Sequence, residues 1–151
     1  MSMKRFGAAA ILAAAVVLAV VGLAVAASGD KYKASLTAAQ EVPKPKGVPS
    51  GAAGSFKATE SERNGKKKLT WRLTFHGLSG KATAAHIHLG KRGKAGPVVV
   101  PLCGPCTSGA HGTATISNSL DKSIEGGKAY VNVHTIKNPN GEIRGQVKPL
   151  S

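Results

Sequence analysis

The chain has 151 residues, with 21 Lys and Arg against 7 Asp and Glu, so its formal net charge is +14. This length suits one domain with its own core, and the positive charge should attract anionic surfaces. The few acidic residues are scattered, which argues against a glycosidase-type carboxylate pair. A Gly-x-Ser-x-Gly nucleophile elbow and a glycine-rich phosphate loop are also absent from the sequence. Enzymatic activity stays open, but these absences favour a protein that is not an enzyme.

The first 26 residues have the pattern of a secretory signal peptide. Lys4 and Arg5 precede a long apolar run, which ends in the small-residue sequence AVA at 24–26. The run is also long enough to serve as a membrane anchor, but the Ala-x-Ala site favours cleavage. We expect removal of residues 1–26, which leaves a secreted or periplasmic chain without a stable membrane span. The loss of the two basic residues lowers the net charge by two, to +12.

Residues 27–151 have the pattern of a single β domain. Gly and Pro interrupt this part at short intervals, and segments of alternating polarity lie between them. Two Asn-Gly pairs mark hairpin turns. Seven or eight strands with almost no helix indicate an all-β fold, either an immunoglobulin-like Greek-key sandwich or a small β-barrel. We expect strands at 32–38, 55–61, 69–78, 82–90, 97–103, 112–117, 129–136 and 143–149, a proline-rich loop at 40–54, and one helical turn within 118–128.

The strand at 82–90 contains the sequence AAHIHLG, which places two histidines on one face. Because side chains alternate along a strand, His86 and His88 point away from the apolar side that carries Ile87. The same alternation in AYVNVHT places His134 on the non-core face of the strand at 129–136. The residues expected to share such outward faces are Tyr130, Asn132, Glu142, Arg144 and Gln146.

If these two strands are neighbours, their three histidines can meet across the sheet. Neutral imidazoles offer lone pairs to a cation, and two histidines from one strand with a third from the next suit copper or zinc. Three ligands would leave a fourth position for water, Glu142 or His76. The alternative is a surface cluster of His86, His88 and His134 that binds no metal and bonds to Thr and Asn neighbours.

The two cysteines stand in the sequence CGPC at 103–106. This tetrapeptide occurs in thioredoxin at the start of a helix, but here a β pattern follows it. The even number of cysteines in an exported protein favours a disulfide between Cys103 and Cys106. Its small ring should add only about 2 kcal/mol of stability. A zinc site that adds His111 to the two cysteines is an alternative, but it lacks a fourth ligand.

Three segments together resemble the CHRD domain, a family named from chordin: LTAAQEVP, AHIHLG with GPVVVPLC, and GGKAYVNVHTIKNPNGEIRGQV. The resemblance covers about residues 32–148. It implies an all-β fold, immunoglobulin-like or a barrel, and it implies little about activity. The family's His-x-His falls on His86 and His88, and its third histidine falls on His134. The lysine-rich loops and CGPC are less typical of the family.

Two functions stay open at this point. The first is an exported binding module that holds copper or zinc at the three histidines. The second is a metal-free structural or adhesion module that its basic loops attach to anionic envelope or matrix polymers. These basic stretches (PKPKG, RNGKKK and GKRGKAG) lack interleaved aromatic residues, which argues against nucleic acid as a partner.

Overall fold

The computed structural model describes residues 29–150, so the expected signal peptide lies outside the described residues. Within this range the chain is mostly β-strand, with one 3-10 turn at Ala38–Gln40 and one short α-helix. No helix in residues 29–150 is both long and apolar enough to cross a bilayer. The elements are β1 (Lys31–Thr37), β2 (Ala53–Arg63), β3 (Lys66–His76), β4 (Ala82–Leu89), β5 (Val98–Cys103), β6 (His111–Ile116), α1 (Asn118–Glu125), β7 (Ala129–Thr135), β8 (Ile143–Gln146) and β9 (Lys148–Pro149).

The strands form one antiparallel sheet that nearly closes into a barrel. Their order is β5-β4-β7-β8-β1-β2-β3-β6, and β9 also pairs with β1. The first and last strands of this order, β5 and β6, contact each other. The all-β prediction is therefore confirmed, and of the two architectures considered the structure is the small barrel.

Alternation along the strands fills the interior of the barrel. In β3, for example, Leu69, Trp71 and Leu73 are buried while Thr70 and Arg72 are exposed. Burying a side chain of the size of Leu contributes about 1.5–3 kcal/mol, so this inward face is a major source of stability. The helix α1 covers part of the barrel with two buried side chains, Leu120 and Ile124.

The structure differs from the expected elements in the hairpin β2–β3 and near the C-terminus. β2 and β3 are longer than predicted because pairing continues to Arg63 and Lys66, directly beside the turn. Both turn residues have positive φ, 54° at Asn64 and 70° at Gly65, as a two-residue hairpin turn requires. The strand expected at 143–149 is divided into β8 and β9.

The outward faces of β7 and β8, which the sequence predicted to lie away from the core, are covered. Every residue of both strands is buried. Loops pack over this face. The backbone oxygen of Gly90 accepts a hydrogen bond from Gln146, and the backbone oxygen of Pro139 accepts one from His134. Alternation predicts the face to which a side chain points, but it does not predict whether a loop covers that face. The outer side of β4, β7 and β8 is therefore a second, polar layer of the core.

Candidate metal centre

The two histidine-bearing strands, β4 and β7, are antiparallel neighbours. Their register places Ala84 opposite His134 and His88 opposite Tyr130. His86 is then two positions along from Ala84 and diagonal to His134, within reach of a long side chain. The small side chain of Ala84 leaves room beside His134 for the ring of His86.

The three imidazoles form one group on this outer face. One ring nitrogen from each of His86, His88 and His134 lies within 4.8 Å of the others. The closest approach is 3.0 Å, between His86 Nδ1 and His134 Nε2. His88 and His134 are buried and His86 is partly exposed, so the group opens towards solvent on the side of His86.

Backbone oxygens orient two of the three rings. His88 Nδ1 lies 2.9 Å from the oxygen of Gly96, and His134 Nδ1 lies 2.9 Å from the oxygen of Pro139. A carbonyl oxygen only accepts hydrogen bonds, so we assign the proton of each neutral ring to Nδ1. Each Nε2 then carries a free lone pair. Metal-binding histidines are usually fixed in this way by a bond from the other ring nitrogen.

The Nε2 atom of His88 is buried and has no hydrogen-bond partner among the described residues. A buried polar atom without a partner is costly, commonly by about 1–3 kcal/mol. The lone pair of His134 Nε2 accepts instead from His86 Nδ1. A cation between the rings would use the lone pairs of His88 Nε2 and His134 Nε2. It would take the place of the proton between His86 Nδ1 and His134 Nε2.

The surroundings favour the neutral form of two of the rings, those of His86 and His134. Burial lowers the pKa of His86, and the nearby His134 and His88 lower it further. Burial also lowers the pKa of His134, an effect that its bond to the Pro139 oxygen partly opposes. Neutral imidazole binds metals and imidazolium does not, so the lowered pKa values of His86 and His134 favour the form that could bind a cation.

A stack of side chains supports His88 from the next strands. The ring of His88 is stacked on Tyr130, with centroids 4.8 Å apart and planes within 10°. The guanidinium carbon of Arg144 lies 3.4 Å from the centroid of the Tyr130 ring. Arg144 Nη2 also donates to the oxygens of Lys91 and Lys94, each at 3.0 Å. These oxygens belong to the loop that supplies Gly96, so Arg144 fixes both the stack and the loop that orients His88.

Further unpaired polar atoms lie on the same outer face. Glu41 Oε2, Asn132 Oδ1 and Arg144 Nη1 are buried without a hydrogen-bond partner within residues 29–150. Asn132 stands between His86 and Arg144 in the register of the three strands. Burial raises the pKa of Glu41, although Val42, Arg144 and Asn132 oppose the rise. Unpaired buried atoms of this kind are commonly satisfied by ordered water, so the face next to the histidines is suited to polar ligands.

Neither residue considered as a fourth ligand belongs to the histidine group. Glu142 is fully buried, and its carboxylate accepts hydrogen bonds from Ser79, Thr135 and Asn138. Burial alone would raise the pKa of Glu142, but these bonds hold it below its usual value. His76 is exposed at the end of β3. Glu142 therefore fixes the turn before β8, and neither it nor His76 is part of the group that the three histidines form.

The two cysteines are bonded to each other, with 5.3 Å between the Cα atoms of Cys103 and Cys106. The bond joins the end of β5 to the segment before β6, where the sheet nearly closes. Neither sulfur is a free thiolate, so the structure does not support the alternative zinc site with His111.

Sequence reasoning missed the residues that support the histidines: Gly96, Tyr130, Pro139 and Arg144. A signal for one of them was present, because GEIRGQ places Arg144 on the same face as Glu142 and Gln146. The structure also shows why a glycine stands at position 96, which the sequence did not reveal. A Cβ at this position would lie 1.7 Å from the oxygen of Leu89.

The fold and the site together define a small β-barrel domain with a three-histidine group on its covered outer face. Residues 32–147 match the family model of the CHRD domain, and this chain therefore belongs to the CHRD domain family. The match includes all three histidines. Comparisons with curated proteins and with solved structures found no significant match.

Proposed function

We propose that this CHRD domain is an exported binding module that holds one transition-metal ion at His86, His88 and His134. The observation that carries the proposal is the convergence of the three rings with two of them already oriented by backbone oxygens. The unpaired, buried Nε2 of His88 adds to it. A bound ion would give His88 Nε2 the partner that it lacks among the described residues.

Copper is the preferred ion and zinc the second choice. Imidazole ligands suit both metals, and a site of given ligands binds Cu²⁺ more tightly than Zn²⁺. Metal–nitrogen bonds are about 2.0–2.1 Å long, so two ligands of one ion are at most about 4.2 Å apart. The widest separation in the group, 4.8 Å, must therefore shrink. The ring centroids that are farthest apart are those of His88 and His134, at 6.2 Å, so the closure requires small shifts of these side chains.

Calorimetric titration of the metal-free domain with Cu²⁺ and Zn²⁺ tests this proposal. We expect one ion per chain and tighter binding of Cu²⁺. His134→Ala should weaken binding by at least the 10–100-fold that loss of a supporting partner typically costs. His76→Ala is the matched control, because it removes a histidine outside the group. Equal losses in the two variants, or none in either, would contradict the proposal.

Export with removal of residues 1–26 is part of the same proposal. The basic start, the apolar run and the AVA sequence at 24–26 support it. Mass spectrometry of the protein recovered from the producing cells should give a chain that starts at Ala27 or within a few residues of it. A chain that still begins at Met1 would show that the segment is kept as an anchor.

A further inference from the structure

Five strands carry a straight row of basic side chains across the outside of the barrel. The register places Lys148 opposite Lys33, Lys33 opposite Lys57, and Lys57 opposite Arg72. His111 stands opposite Arg72 at the end of the row. All five side chains are exposed. Neighbouring strands are about 4.8 Å apart, so the row is about 19 Å long. We call Lys148, Lys33, Lys57, Arg72 and His111 the basic row.

Hydroxyl groups border the basic row on both sides. Thr59, Thr70 and Thr113 stand side by side in the next row of the sheet. Ser55 and Thr74 stand opposite each other on the other side. The outward positions of β1, β2, β3, β6 and β9, all within the described range, include no Asp or Glu and no large apolar or aromatic residue apart from histidine. This face is therefore cationic at its centre, and its borders are polar with one further positive charge, Lys31 opposite Thr59.

The basic row has an energetic cost in the free protein. Like charges directly opposite each other on neighbouring strands are destabilising. The half-buried Lys67 has two carboxylate partners, whereas no residue of the basic row forms an ion pair with any described residue. A bound polyanion would supply the missing negative charge along the whole row.

The surface has a shape that an extended chain can occupy. One open depression of about 380 Å³ is lined by Lys57, Thr59, Thr70 and Arg72 among others. A second, of about 140 Å³, is lined by Ser55, Lys57, Arg72 and Thr74. The two depressions share Lys57 and Arg72, so they meet at the centre of the basic row.

We propose that the basic row and its hydroxyl borders bind a linear anionic polysaccharide. Such a polymer carries repeated carboxylate or sulfate groups for the basic row and sugar hydroxyls for the Ser and Thr borders. Single-stranded nucleic acid would need aromatic side chains for stacking, and a membrane surface would need apolar side chains for insertion. The outward strand positions of this face offer neither. Tyr32 and Trp71 also line the larger depression but are buried, and Leu150 adds a single exposed apolar side chain at its edge. This surface lies on strands, whereas the sequence suggested attachment through basic loops. The polysaccharide proposal does not depend on the metal proposal.

Binding of the mature protein to immobilised heparin and to polygalacturonate tests this inference. Lys57→Gln with Arg72→Gln removes the centre of the basic row, and Lys44→Gln with Lys91→Gln removes the same charge from two loops. We expect the first pair to weaken binding about tenfold and to reduce the slope of log affinity against log salt by about two. The loop pair should change affinity by less than about twofold. Removal of opposed like charges should leave the melting temperature unchanged or raise it, which excludes misfolding as the cause.

Three outcomes would overturn the inference. Equal weakening by both pairs would show that only net charge matters. No weakening by the row pair, or no binding of either polysaccharide by the unmodified protein, would show that this face is not the site. Tighter binding of single-stranded DNA or phosphatidylglycerol vesicles, with the same dependence on Lys57 and Arg72, would assign the face to another class of partner.

Discussion

At the scale of single residues, Arg144 is the side chain that connects the histidines to the rest of the covered face. It is only 1% exposed, it lies over the ring of Tyr130, and it bonds to two oxygens of the loop 90–96. The same loop bonds to His88 through Gly96, and Tyr130 is stacked on the same ring. Arg144 therefore positions His88, the proposed metal ligand, through the ring of Tyr130 and the loop 90–96.

Arg144→Met should weaken Cu²⁺ binding by about 10–100-fold, as is typical when the support of a ligand is lost. Arg144→Lys should not restore it, because an ammonium group has no planar face to lie over the ring of Tyr130. Calorimetry gives the affinities, and electron paramagnetic resonance of bound Cu²⁺ should show altered nitrogen couplings.

Arg63→Met, at the exposed end of β2, is the matched control for this prediction. A lower melting temperature of the metal-free Arg144 variants with unchanged affinity and an unchanged spectrum would show that Arg144 supports only the fold.

Alternation in the sequence was sufficient to place His86, His88 and His134 on outward faces. It could not predict the burial of Arg144, because that depends on a loop that folds back over β8. The burial of Glu142 was missed for a similar reason, since its donor Ser79 lies 63 residues away, in the connection between β3 and β4. The face to which a side chain points depends on its own strand, whereas its burial by a loop depends on the assembled fold.

At the scale of elements, the helix α1 is held on the barrel by a buried ionic cluster. Lys67 Nζ lies 2.8 Å from Glu60 Oε1 and 2.6 Å from Asp121 Oδ2. The hydroxyl of Tyr32 is 3.2 Å from Asp121 Oδ1 and 3.3 Å from Glu60 Oε2. Burial raises the pKa of Glu60, and the neighbouring Asp121 raises it further. Without Lys67, two close carboxylates would face each other beneath the helix.

Lys67→Met should lower the melting temperature by about 5 °C at pH 7, and the loss should shrink as the pH falls towards 4. The sign follows from Glu60, whose pKa in the folded protein is raised. A carboxyl of this kind takes up a proton in the folded state before it does so in the unfolded chain, so acidification favours folding at this position. Protonation also removes the repulsion between the two carboxylates that the variant leaves uncompensated.

Lys66→Met, one residue away and exposed, is the control for the helix cluster, and its melting temperature should follow that of the unmodified protein. Thermal unfolding by circular dichroism between pH 4 and 7 measures both variants. A loss in Lys67→Met that is the same at every pH would contradict the account of this cluster.

The helical turn predicted within 118–128 is confirmed as α1, and its cap is Ser117, whose hydroxyl accepts from the backbone N–H of Leu120. The strands and the Asn-Gly hairpin β2–β3 were predictable because both depend on residues close in the chain. The division of the last strand was not, because it depends on which strands lie beside it: β8 pairs with β7 and β1, whereas β9 pairs with β1.

At the scale of the whole molecule, the order of the strands decides the function that the site can have. His86 and His134 are 48 residues apart, and they meet only because β4 pairs with β7 in the nearly closed sheet. No local pattern specifies this pairing, since several strand orders would bury the same apolar faces. The same order places the basic row on β9, β1, β2, β3 and β6, away from the histidine-bearing strands. One barrel thus presents a candidate metal centre and a candidate polyanion surface on different parts of its wall.

A crystal structure of the copper-loaded mature domain, with diffraction data on both sides of the copper absorption edge, tests the central claim most directly. The account predicts one strong anomalous peak about 2.0–2.1 Å from a ring nitrogen of each of His86, His88 and His134. The His88 and His134 bonds to the oxygens of Gly96 and Pro139 should be kept, while small shifts of the side chains bring the three ring nitrogens within about 4.2 Å of one another. A fully loaded crystal with its peak at His76, His111 or the chain terminus, and none between the three rings, would contradict the account.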